Sequence, residues 1–130
     1  YRIILIEGKP FICHMGISQH WMIHYLNAGM AESAEKRAEE DRFMAQFDTG
    51  FAARHAEAFQ AITDILQLDY VGLDCGETKD GKLLIFEADS DMIVHAMDPV
   101  DMFPYKQATM RKIFDAFHTM LLNAIKRGVT

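Results

Sequence analysis

The sequence predicts an α+β fold: an antiparallel sheet built from two hairpins, with helices packed on one face. Three observations carry this expectation. Paired apolar, β-branched runs flank a turn near the start of the chain and again between Asp69 and Asp89. Stretches of helical periodicity separate the two pairs. A last amphipathic stretch follows them. With 130 residues, half of them hydrophobic, residues 1–130 read as a single domain with enough apolar surface for a core.

The charged fraction of 25% and net charge of −6 fit a protein that works in water, and they lack the basic stripe of a nucleic-acid surface. No apolar stretch is long enough to cross a bilayer, so neither a nucleic acid nor a membrane is an expected partner. The two cysteines, Cys13 and Cys75, make no disulfide framework. A reducing, cytoplasmic setting is expected. The chain opens at Tyr1 directly in a strand-like run, which reads as part of a longer protein.

Taken in order, Tyr1 to Glu7 is rich in β-branched and aromatic residues and reads as a strand. Glu7-Gly8-Lys9-Pro10 reads as a turn, and Phe11 to Ile17 as its partner strand. Arg2 is either a surface charge or an anion clamp. In the mixed segment that follows, His20 and His24 are spaced to share a helix face. With His14 they raise the idea of a zinc site. The alternative is a set of partly buried, hydrogen-bonded histidines among aromatic neighbours. Asn27-Ala28-Gly29 looks like a loop or helix stop.

Glu32 to Phe47 is a strong helix former whose charge run reads as a solvated face. Asp48-Thr49-Gly50 breaks it. Phe51 to Gln67 then reads as one core helix, with Phe51, His55, Phe59, Ile62 and Leu66 on its apolar stripe. His55, mid-stripe, reads as structural. Ser90 to Gln107 reads as an ordered loop in which His95 is either a ligand contact or a structural residue. Thr109 is the expected cap of a final helix with Met110, Ile113, Phe114, Phe117, Met120, Leu121, Ala124 and Ile125 on its apolar face, and Gly128 stops it after Lys126 and Arg127.

The second hairpin, DYVGLDCGETKDGKLLIFEAD, carries the chemistry. Asp-Gly between apolar runs signals a tight turn. If Asp80-Gly81 is a two-residue turn, Lys79 pairs with Lys82, Asp74 lies opposite Glu87 and Gly72 lies opposite Asp89. Val71, Leu73, Cys75, Leu84, Phe86 and Ala88 then share the apolar face, and Asp74, Glu87 and Asp89 share the other. Asp91 continues that alternation. Opposed like charges destabilise a sheet, so these carboxylates suggest either a hard divalent cation with oxygen ligands or a solvated acidic face.

This stretch resembles the C-terminal half of an ATP-grasp domain. In that family an Asp precedes, by about a dozen residues, a Glu-x-Asn on the next strand. Here the matching positions are Asp74 and Glu87-Ala88-Asp89, with Asp89 in place of Asn. Leu68 to Asp74 looks like the family's lGLdyvGvD run, Asp80-Gly81-Lys82 like its hairpin turn, and Arg2 with Gly8-Lys9 like its R-x-x-V-x-gGk hairpin. Asn27-Ala28-Gly29 falls near the family's N-x-x-x-G. The Pro-Gly that often follows the last ligand is replaced by Met92-Ile93, and the family's N-terminal, adenine-binding half has no counterpart here.

The resemblance implies a carboxylate–amine or carboxylate–thiol ligase. Its metal ligands would be Asp74, Glu87 and Asp89, holding Mg²⁺ or Mn²⁺. Arg2 would be its catalytic residue on the phosphoryl oxygens, and Arg2 and Asn27 would help bind ATP as substrate. The other partner would be a carboxylate substrate, unidentified. An isolated chain of this kind is expected to be inactive, and an exposed sheet edge could be covered in a homodimer. Two other readings stay open: a catalytically silent binding module on the same fold, and a transition-metal site built from the histidines.

Overall fold

The computed structural model describes residues 1–128. Strands β1 (Arg2–Ile6), β2 (Lys9–His14), β3 (Tyr70–Glu77) and β4 (Leu83–Asp89) form one sheet in the order β2-β1-β3-β4, and every neighbouring pair is antiparallel. Helices α1 (Ala34–Gln46), α2 (Phe51–Arg54) and α3 (Ala56–Leu66) lie between the hairpins, and α4 (Lys106–Lys126) ends the described chain. The α+β architecture with a four-stranded antiparallel sheet agrees with expectation.

The helices do not all share one face, as the sequence led us to expect. Ile3, Leu5, Val71, Leu73 and Cys75 pack against Met44, Phe47, Phe51 and Phe59 of α1–α3 and the segment joining them. Ile4, Ile6 and Cys13 pack against Met110, Ile113 and Met120 of α4 on the other side. The cause is legible in β1. Its Ile3, Ile4, Leu5 and Ile6 are an unbroken apolar run, and all are at most 3% exposed. A strand apolar on both faces sits in the middle of a sheet covered on both faces. Cys13 and Cys75 consequently lie in different core layers, buried and unpaired.

The first turn is tighter than predicted. Glu7 and Gly8 both have positive φ, 48° and 79°, so Ile6 pairs directly with Lys9 and β2 begins there. This is the primed geometry that suits a strand twist. Pro10 is tolerated because β2 is an edge strand. Ser33 caps α1 by accepting from the Lys36 backbone N–H at 3.3 Å. The single helix expected over Phe51–Gln67 is broken at His55, whose backbone (φ −107°, ψ 17°) leaves the helical region. The His55 ring is tied to Glu77 of β3 at 2.8 Å, so it is structural, as read. The last helix starts at Lys106 rather than after Thr109: turns from Phe103 and Pro104 carbonyls to the N–H groups of Lys106 and Gln107 lead into it.

The second hairpin reaches its expected register by an unexpected route. The Thr78 N–H donates to the Lys82 carbonyl at 2.9 Å, which leaves residues 79–81 as a three-residue turn. The ladder then runs Glu77↔Leu83, Gly76↔Leu84, Cys75↔Ile85, and shifts so that Asp74 faces Glu87. Phe86 is the extra residue of a β-bulge. The longer turn and the bulge cancel. Asp74↔Glu87 and Gly72↔Asp89 therefore hold, but the apolar face changes. Leu84, opposite Gly76, moves to the carboxylate face. Phe86 joins it, with its ring 3.4 Å from where a Gly76 Cβ would stand.

Candidate functional site

A row of four side chains crosses the whole sheet. His14 on β2 pairs with Arg2 on β1, Arg2 with Asp74 on β3, and Asp74 with Glu87 on β4. Directly paired residues share a face, and Arg2 alternates with Ile4 and Ile6, so the row lies on the α4 side of the sheet. Asp89 stands opposite Gly72 on the same face. Helix α4 covers β1 and β2, leaving Leu84, Phe86 and Glu87 exposed on the uncovered half.

Arg2 grips Asp74 with two parallel bonds, Nε to Oδ1 at 2.9 Å and Nη2 to Oδ2 at 2.8 Å. The bond to Asp74 raises the guanidinium above its ordinary pKa. Asp89 and Asp91 lean on one another. A side-chain hydrogen bond between them holds Asp89 below the usual carboxylate range and pushes Asp91 above it, and the Asp91 N–H donates to Asp89 Oδ1 at 3.1 Å. Met92 lies over Gly72: a Cβ there would stand 2.3 Å from the Met92 Cβ.

Asp74, Glu87 and Asp89 are hard oxygen donors on one face, which fits Mg²⁺ or Mn²⁺ chemically. Their side chains are not drawn into a closed site: among the described residues no three His, Cys, Asp or Glu side chains converge as a metal-holding group. Asn27 is exposed in a short 3₁₀ turn, Tyr25–Asn27, away from any bond to the row. His20 and His24 are exposed while His14 is buried, so the structure does not gather the three into a zinc site. Two open grooves, of about 370 and 450 Å³, flank the β1–β2 turn at the far end of those strands from the row.

Sequence reasoning missed a buried polar cluster beside the row. Glu40 of α1 is fully buried, not part of a solvated face. It accepts from the Met15 N–H at 2.9 Å, the Tyr105 hydroxyl at 2.6 Å and the Tyr25 hydroxyl at 3.2 Å. Lys106, 2% exposed, reaches Asp98 at 2.6 Å and Glu40 at 3.4 Å and bonds the Tyr25 hydroxyl. Burial raises the pKa of both Tyr25 and Tyr105, and the neighbouring Glu40 carboxylate adds to it. The signal for Glu40 was present: it lies one turn before Phe43 and Met44, in line with Phe47, on the stripe that packs inward.

The cluster ties the loops that frame the row. Tyr25 stacks on His14 with ring centroids 4.1 Å apart and meets His95 edge-on at 6.2 Å. His95 Nε2 lies 3.8 Å from Asp98. No helix among the described residues is long and apolar enough to cross a membrane. Comparisons of the chain with family models, curated proteins and solved structures return no match, so the reading of this site rests on its own residues.

Proposed function

We propose that the chain is the metal- and phosphate-binding part of an ATP-grasp ligase, which activates a carboxylate as an acylphosphate for attack by an amine or thiol. The observation that carries the reading is the Arg2–Asp74–Glu87 row, with Asp89 beside the side-chain-free position of Gly72. An arginine and three carboxylates on one open sheet face are the parts phosphoryl transfer needs, because the chemistry consists of positioning and charge neutralisation. A bound Mg²⁺ would neutralise charge on the transferring phosphoryl group. Asp74 and Glu87 would hold one ion, Glu87 and Asp89 a second, and Arg2 would turn its unused donors to the phosphoryl oxygens. Mg²⁺ commonly takes only one or two carboxylates and completes its shell with waters and substrate phosphates. A set of donors that shares a face without closing is consistent with that habit.

A second reading has its own support. Both Asp74 oxygens accept from Arg2 and Met92 fills the space over Gly72, which suits a silent module that keeps the fold and binds a partner. A Mn²⁺ titration with and without ATP separates the two. The ligase reading expects Mn²⁺ binding that ATP strengthens and that Asp74→Asn with Glu87→Gln abolishes. No binding at millimolar Mn²⁺ would favour the silent module.

A further inference from the structure

His14 is a buried imidazole with nothing to bond. It is 8% exposed, and its Nδ1 is fully buried without a hydrogen-bond partner. Leaving such a group unsatisfied carries its full desolvation penalty, so native proteins rarely do it without a reason. The ring is also carefully held. Tyr25 stacks on it, and Tyr25 is itself fixed by Glu40 and Lys106. Burial, then the charges of Arg2 and Lys106, push the His14 pKa down to about 2, which keeps the ring neutral and one nitrogen an acceptor.

Beside it stands the complementary group. Arg2 spends Nε and Nη2 on Asp74, and its Nη1 makes no hydrogen bond among the described residues. Arg2 and His14 are paired across β1 and β2 at a bulge whose extra residue is Cys13, and the Arg2 charge acts on the His14 ring. An unspent guanidinium donor on the residue paired with one that carries an unspent imidazole acceptor matches an oxyanion that still carries a proton.

We propose that His14 and Arg2 together form a site for a protonated oxyanion of the hydrogen-phosphate class, in which Arg2 donates to a bare oxygen and His14 accepts from the O–H. The inference rests on the reading of Arg2 as a phosphoryl contact and adds the residue that distinguishes a protonated anion from a bare one. A site built around a ligand hydroxyl rejects an analogue that lacks it, because its own buried polar group is left unpaired.

The probes are inorganic phosphate and sulfate, since phosphate keeps an O–H at neutral pH and sulfate does not. Calorimetric titration of the chain should show phosphate bound at least about tenfold more tightly than sulfate. His14→Phe keeps the ring stacked on Tyr25 and removes the orphan nitrogen. It should equalise the two anions while leaving the thermal midpoint unchanged or higher. His14→Asn, which retains an acceptor, should keep part of the preference.

Equal affinity for both anions in the wild type, no phosphate binding, or a preference that survives in His14→Phe would overturn the proposal. Unfolding of both variants would also overturn it, by making His14 structural. The Mn²⁺ and ATP titration on the same samples separates this failure from the other. ATP-strengthened Mn²⁺ binding without anion discrimination removes only the role of His14, whereas no effect of ATP removes the ligase reading.

Discussion

At the scale of single residues, the groups that matter most are the ones whose charge is buried. Lys106 faces two carboxylates, Glu40 and Asp98, and is covered by the Tyr25 ring at 4.2 Å from its centroid. Removing one partner of such a pair strands the others in a low-dielectric interior. Lys106→Met should therefore cost about 3–5 kcal/mol of unfolding free energy. Adding Glu40→Leu should recover part of that loss, and urea unfolding of the single and double variants checks the loss and the recovery. His14 adds a pH dependence of opposite origin. Its pKa is near 6.5 when exposed and about 2 when folded, so the unfolded chain binds the extra proton between those values. The stability from keeping the ring neutral is complete above about pH 6.5 and is lost progressively as pH falls toward 2, at up to ~1.4 kcal/mol per pH unit. His14→Phe should flatten that part of a stability–pH curve measured by denaturant unfolding.

At the scale of elements, the second hairpin shows how a local misreading can leave a site intact. The sequence supports Asp74 opposite Glu87 through a two-residue turn, and the molecule arrives there through a three-residue turn and a bulge at Phe86. Turn length and bulge are set by cross-strand packing, which a single strand's pattern does not contain. Alternation alone therefore places the carboxylates correctly but puts Leu84 and Phe86 on the wrong face. Gly72 sits at the centre of this element. Its position is closed by Met92, whose Cβ and Sδ would stand 2.3 and 2.5 Å from an added Cβ. Gly72→Ala should thus displace Met92 and cost about 1–3 kcal/mol, the usual penalty for overpacking. Met92→Ala in the same chain should relieve much of it, as thermal unfolding of the single and double variants would show.

At the scale of the whole molecule, the sheet is covered unevenly. Helices α1–α3 cover β1 and β3 on one face and leave Ile85 and Ala88 of β4 exposed, while on the other α4 covers β1 and β2 and leaves the β3–β4 carboxylates open. Anything bound only by the folded chain stabilises it by mass action. If the open half takes a metal–nucleotide pair, Mn²⁺ with ATP at about 100 times the dissociation constant should add ~2.7 kcal/mol to the unfolding free energy. Asp74→Asn with Glu87→Gln should show no such gain. A thermal shift of equal size in the double variant would mean that the ligand binds elsewhere.

The sequence by itself determined the strands of both hairpins, the shared face of Glu87 and Asp89, the break after α1, and the structural character of His55. These follow from periodicity, turn chemistry and side-chain spacing, which act over a few residues. Only the tertiary structure decided which faces the helices cover, where the chain bulges, and that Glu40, Lys106, Asp98, Tyr25 and Tyr105 meet in one buried cluster. Those residues come from three separate stretches of the chain, around Tyr25, around Glu40 and from Asp98 to Lys106, and each is a polar side chain whose ordinary place is the surface. The stripe of α1 points Glu40 inward, but burying the group is favourable only when all of its partners arrive together, and no short stretch of sequence names those partners.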